Sequence, residues 1–300
     1  AKDANISIAF IGNSYLYVND MPRLMQKISM GHIHQDSCLR SSASLGKLLR
    51  AGNGMWELWQ TEQAITYKFN TQWSEQEEPV YDFGQCTVFQ LLEGYDNDLT
   101  YQNYNGAYYY EEDTNPCFED QNYILYLQDR NLKNPQWFDY VVLNDQTARM
   151  ADAEAREDSV NALKYAYAPM IKDARATPLV VDTHAYPNYE YGWNVTNYET
   201  DYEEAIPYMQ ALIYYGVEEY MMALKANLPS YAAPNVVPIG MAYLTVWEED
   251  YALWQRLFLE ETVHASPHGS YLFANVLYAV VYGHLPQRPK SQQQIKTFFS

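Results

Sequence analysis

Five short apolar runs constrain this chain more than anything else in it. They are Ile6–Ile11, a strand from Asp36 that runs through Leu39 into the small-residue stretch to Gly46, then Phe138–Asp145, Pro178–His184 and Asn235–Gly240. Runs of this length, bounded by Gly, Asn, Asp or Pro, read as buried strands. Between them lie segments with apolar residues every three to four positions. Met21, Leu24, Met25 and Ile28 form one such face, and a longer segment spans Leu48 to Ile65, broken at Gly52-Asn53-Gly54. Further helices are expected over Ala151–Lys172, Glu203–Ala226, Trp247–Leu259 and Tyr271–Tyr282. A two-residue hairpin cannot contain a helix, whereas parallel strands require a crossover of about a dozen residues or more. Strands alternating with helices therefore predict an α/β chain with a parallel sheet covered on both faces.

The first run stops at Gly12-Asn13-Ser14, and a helix capped by Asn19 or Asp20 follows, with Pro22 in its first turn. A serine at such a turn stands at the carboxyl end of a parallel strand, where open α/β sheets place ligands, so Ser14 is expected to be exposed and positioned. Near the other end the chain reads Glu261-Thr262-Val263-His264, then Ala265-Ser266-Pro267-His268-Gly269-Ser270-Tyr271-Leu272. An acid three residues before a histidine can orient the imidazole so that its other nitrogen faces a hydroxyl. The third run ends in Asn144-Asp145, which also makes an ordinary strand-end turn.

With these blocks the chain resembles the SGNH, or GDSL-type, hydrolases. The likeness rests on Gly12-Asn13-Ser14, on Glu261 to His264, on Asn144-Asp145 and on the wording from His264 to Leu272, which is similar to one bacterial-type branch. The resemblance implies a flavodoxin-like three-layer sandwich around a five-stranded parallel sheet. It also implies a serine esterase with Ser14 as nucleophile, His264 as base and Glu261 as orienting acid, needing no metal or organic cofactor. Asn144 would donate to the oxyanion, and a backbone N–H from the second loop would join it. Ser41, Ser42 and Gly46 are the alternatives for that donor. The chain departs from the family pattern where Val142 replaces a glycine and Glu261 an aspartate. Asp145 and Asp182 are fallback orienters. His184, at the end of the fourth run, is a rival base or a pocket-lining residue, and His268, at the start of a helix, suits a structural role.

Three hundred residues suit a single domain, with an insertion between Phe69 and Asp129 where Tyr, Asn, Gln and acidic residues crowd together. Aromatics at that density argue against disorder. The net charge of −19 would repel a nucleic-acid backbone or an anionic membrane surface. The stretches between Lys68 and Arg130 and between Arg175 and Lys225 lack Lys and Arg; they read as solvated acidic surface, with calcium binding as an alternative. No run is long enough to span a bilayer. Cys38, Cys86 and Cys117 allow one disulfide, with Cys86 and Cys117 the candidate pair and three buried thiols the alternative. The start at Ala1 without Met and the sequon Asn194-Val195-Thr196 fit an exported chain, whereas Asn5-Ile6-Ser7 enters the first strand.

Three functions compete. One is removal of short acyl groups from a carbohydrate, for which the Tyr/Trp- and amide-rich insertion speaks. The second is a lipase, thioesterase or polyester hydrolase with the same triad. The third is a catalytically silent carbohydrate-binding protein on the same fold.

Overall fold

The computed structural model describes residues 4–53, 87–93, 137–187, 202–260 and 262–289. Its centre is a five-stranded, all-parallel sheet in the order β2-β1-β3-β4-β5. The strands are β1 (Ile6–Gly12), β2 (Ile33–Leu39), β3 (Tyr140–Leu143), β4 (Thr177–Val181) and β5 (Asn235–Val237). Strand β1 is an inner strand and pairs with β2 on one side, Ile6 beside Ile33, and with β3 on the other, Ile8 beside Tyr140. Because the chain leaves β1 toward β2 and then crosses back to β3, right-handed crossovers put the helices of the two halves on opposite faces. One face carries α2 (Met21–Ile28), against which the last helix, α11 (Pro267–Tyr282), packs. The other carries α3 (Leu45–Ala51), α6 (Ala153–Ala162), α7 (Ala168–Ala174) and the long α8 (Tyr202–Lys225). The α/β class, the five parallel strands and the covering on both faces agree with the expectation from sequence.

Several boundaries moved. A one-turn helix, α1 (Ser14–Tyr17), follows β1 directly. The amphipathic segment expected over 151–172 is split into α5 (Thr147–Ala151) and α6, and α6 runs into α7 through a π turn at Leu163–Tyr167. Pro169 follows that wide turn and has no N–H to return to the preceding turn, so a wider turn loses less there than a regular one. The segment expected over 247–259 is instead α9 (Ile239–Glu249) and α10 (Tyr251–Gln255), divided at Asp250, whose side chain accepts from Leu253 N–H. Its α9 portion begins at the carboxyl end of the fifth run, so Gly240 is helical. Within the span 69–129, the described residues form α4 (Val88–Glu93), whose Val88, Leu91 and Leu92 join the core. The remainder of that span, together with Cys86, Cys117 and Asn194, lies outside the described residues. Cys38 is buried and free.

Helix α8 crosses α5 closely enough that a Cβ on Gly216 would sit 2.0 Å from the carbonyl oxygen of Met150. Gly→Ala in a helix interior ordinarily gains about 1 kcal/mol. Here the obstacle is backbone, which cannot swing aside, and overpacking of this kind costs roughly 1–3 kcal/mol. The clash wins. Gly216→Ala is expected to lower the thermal midpoint, and equilibrium denaturation in urea would read the loss.

Candidate functional site

The topology has its switch point between β1 and β3, the place where crossovers diverge to opposite faces and leave a crevice at the carboxyl ends. Ser14 follows β1 there and Asn144 follows β3. The two ends approach closely because residue 12 is glycine: a Cβ on Gly12 would lie 2.8 Å from both Cβ and O of Asn144. Asn13 caps α1, its Oδ1 accepting from Tyr15 N–H at 3.2 Å. Its Nδ2 donates to Ala43 O at 3.1 Å and so fastens the serine turn to the loop after β2. Ser14 is 8% accessible, more enclosed than its place at a turn suggested, because α1 folds it inward.

The second loop carries Ser42, exposed and left-handed at φ 52°. Gly46 lies inside α3, where a Cβ would meet the Asp158 carboxylate at 2.0 Å, so its bare backbone serves the contact with α6. Asn144 is completely buried. One Nδ2 hydrogen goes to Asp145 O at 3.3 Å, while Oδ1 has no partner among the described residues.

The histidine loop folds to the same place. A short antiparallel bridge joins Phe258 to Ala265, with Leu259 N–H donating to His264 O at 2.9 Å and Ser266 N–H to Leu257 O at 2.8 Å. Ser266 then caps α11, and His268 occupies its first turn. The His264 ring stands 6.1 Å from the Tyr15 ring, next in sequence to Ser14. Burial holds its imidazole below the usual range. The Ser14 hydroxyl makes no hydrogen bond to a described residue, His264 included. Unliganded sites often show such gaps and tighten around substrate.

His184 is deeper. Its ring stacks on Tyr243 at 4.3 Å and meets Tyr15 and Phe258 edge-on at 4.8 and 5.1 Å. Nδ1 lies 3.2 Å from Ala185 O, and Nε2 is buried with no partner among the described residues. Burial, with a smaller push from His264, takes its pKa down to about 4 despite the bond to Ala185. It is a neutral imidazole in an aromatic cage.

Of the acids, Glu261 lies outside the described residues. Asp145 is engaged elsewhere, accepting from Leu45 N–H at 3.0 Å, Gln146 N–H at 2.7 Å and the Tyr220 hydroxyl. Asp182 accepts from Gln210 Nε2 at 2.8 Å and Met241 N–H at 3.2 Å, and burial raises it to about 7. Neither carboxylate reaches His264. The structure therefore places His264 and His184 against Tyr15, the neighbour of Ser14, sets Asn144 against Gly12, and leaves both fallback acids in the core. Sequence reading missed the cage residues Tyr15, Tyr243 and Phe258, whose spacing gives no sign that they meet. Among the described residues no cluster of three metal-ligating side chains occurs, and no helix is long and apolar enough to cross a membrane.

No family model matches the chain, and no curated protein matches it. In structure it is similar to a "putative SGNH hydrolase" from Slackia heliotrinireducens, at 15% identity over 93% of this chain and 100% of that one, with a TM-score of 0.47. A likeness that distant assigns no residue a role.

The buried, neutral His184 gives a pH signature. Its folded pKa lies below that of a free imidazole, so between about 6.5 and about 4 the unfolded chain takes a proton that the folded one refuses. His184 by itself removes stability as pH drops through that window, while Asp182, raised by burial to about 7, adds stability over much of the same range, so the histidine's contribution is read as a difference between variants. Urea midpoints at pH 4.5, 5.5 and 7 should show the native chain losing stability relative to His184→Phe, which keeps the stacking but has no proton to gain.

Proposed function

We propose that this chain is a serine-dependent hydrolase of carboxylic esters, with Ser14 as nucleophile, His264 as general base and Asn144 as an oxyanion donor. The observation that carries this reading is convergence. A serine two residues past β1, an asparagine just past its neighbour β3 and a histidine whose ring lies against Tyr15, next in sequence to that serine, all come to the carboxyl end of the sheet. The motif resemblance to SGNH hydrolases supports the same three residues.

In the proposed reaction the Ser14 oxygen attacks the acyl carbon and its proton passes to the His264 imidazole. The tetrahedral oxyanion collapses, the C–O bond to the alcohol breaks, and the imidazolium delivers the proton to the leaving alkoxide. Water, deprotonated by the same imidazole, then releases the acyl group from Ser14 as a carboxylic acid. The second Nδ2 hydrogen of Asn144 has no partner among the described residues, which suits it to a developing negative charge. Glu261 is the proposed orienting acid, since Asp145 and Asp182 are committed to other donors. Ser41 and Ser42 remain the candidates for the second-loop donor. His184, neutral and enclosed, supports the site from behind as part of its wall. A carbohydrate as the acyl carrier is read from the Tyr- and amide-rich span alone.

Hydrolysis of a chromogenic acetyl ester tests the proposal. Ser14→Ala and His264→Ala are each expected to lose turnover by at least about a thousandfold while retaining their circular-dichroism spectrum. Full activity in Ser14→Ala would end the nucleophile assignment. The base must be neutral to accept the proton, and burial lowers its pKa, so the acidic limb of kcat/KM is expected at a pH below that of a free imidazole. A limb at or above pH 6.5 counts against His264 as the titrating group.

A further inference from the structure

We propose that Asn19 is a positioning residue for His264, its side-chain amide holding the histidine loop against the serine turn in the register that ester hydrolysis needs. The inference rests on the serine-hydrolase reading above and adds to it a residue that never touches substrate.

Asn19 Nδ2 donates both of its hydrogens across the molecule, to Ala265 O at 2.8 Å and to Ser270 Oγ at 2.9 Å. Ala265 directly follows His264, and Ser270 lies one turn into α11. The acceptors are 246 and 251 residues away in sequence, so these are contacts between the two ends of the chain. The bonds within the histidine loop, from Leu259 N–H to His264 O, from Ser266 N–H to Leu257 O and from His264 N–H to Thr262 Oγ1, shape the loop on itself. They do not attach it to the serine turn. The Asn19 amide does, five residues beyond Ser14.

The local backbone is arranged for this reach. Asn19 and Asp20 are both left-handed, with φ of 60° and 50°. Non-glycine residues pay roughly 1–2 kcal/mol each for that conformation, and asparagine and aspartate are among the few that visit it. Asp20 occupies the N-cap position of α2, but its side chain makes no capping bond, its carboxylate lying instead 3.4 Å from Arg23 Nε. The ordinary task of an Asn-Asp pair before a helix is thus left undone, and the Asn19 side chain is turned away from its own helix toward the loop that carries the base. Apolar packing of α11 on α2 already holds the two segments together. What the amide adds is directional. A misplacement of about 1 Å at a reacting group can cost on the order of a hundredfold in rate, while it changes packing energy little.

Asn19→Gly tests the proposal, because glycine accepts a φ of 60° without strain and removes both hydrogen bonds while relieving the left-handed cost. The expected result is a fall in kcat of about 10- to 100-fold with KM within about twofold, and an unchanged thermal midpoint. Labelling of Ser14 by a serine-directed phosphonate should slow in parallel. Ser270→Ala, which removes one acceptor and leaves the bond to Ala265, should give a smaller loss of the same kind, and it carries the test should the glycine variant not fold. Wild-type kcat in Asn19→Gly beside an inactive Ser14→Ala overturns the positioning role alone. A kcat loss that merely follows a fall in folded protein assigns Asn19 to the fold and overturns the role as well. Turnover in Ser14→Ala overturns the serine-hydrolase reading, and the role of Asn19 falls with it.

Discussion

The carboxylate of Asp145 is the constraint on which much of this structure turns. It is 1% accessible, and burial alone would drive it toward the neutral form. What makes the position tolerable is a set of donors brought from separate elements: the N–H of Leu45 at the start of α3, the N–H of Gln146 ahead of α5 and the hydroxyl of Tyr220 on α8. A charge taken out of water requires such partners, so each of these elements is tied to the end of β3. Asn144 is the residue just before it, and its peptide N–H donates to Ile11 O of β1 at 2.9 Å. The polar end of β3 is thereby fixed from both sides before any substrate is considered, and the Gly12 backbone can come against it because no Cβ intervenes.

The strands were legible because their signal is local. Buried parallel strands are short apolar runs, and the runs at Phe138 and Pro178 could hardly have been anything else. Helix α8 was legible for a related reason, since Ile206, Met209, Leu212, Ile213, Tyr220 and Leu224 recur every three to four positions; Ile206, Ile213, Tyr220 and Leu224 are buried, and Met209 and Leu212 are partly buried against the core. The misread boundaries belong to elements whose ends are decided by contacts rather than pattern. Asp250 divides α9 from α10 by accepting from Leu253 N–H, which apolar spacing alone does not reveal. The π turn at Leu163–Tyr167 interrupts a helical pattern that continues through it, and its Tyr167 hydroxyl reaches Leu45 O at 3.0 Å on a different element.

The site divides the same way. Ser14 and Asn144 stand at strand ends, and a parallel sheet collects its strand ends on one side, so their proximity could be argued before the fold was known. Asp145 and Asp182 also stand at strand ends, yet each faces helix N–H groups and side-chain donors of the core. The residue type was read correctly and the direction of its side chain was not, because direction depends on which helix covers the strand. The same holds for Asn19, recognisable as a helix-capping type but used on a loop some 250 positions away. The cage around His184 draws Tyr15, Tyr243 and Phe258 from three distant segments, and no spacing rule links them.

That cage bears on how a base could work here. Burial holds both His184 and His264 toward the neutral imidazole, the resting state that a proton acceptor needs. The same burial opposes the imidazolium that must form during attack. In the proposed reaction this cost is not met in isolation, because the proton leaves Ser14 as negative charge develops on the acyl oxygen. Two opposite charges a few ångströms apart attract far more strongly in a poorly hydrated site than in water. The environment that disfavours a lone imidazolium thus favours the ion pair of the tetrahedral state, provided the imidazole and the oxyanion donors are held at fixed separation. On that reading the distance between the serine turn and the histidine loop matters more to the proposed reaction than the basicity of His264, and the Asn19 amide is a hydrogen-bonded link between those two ends of the chain.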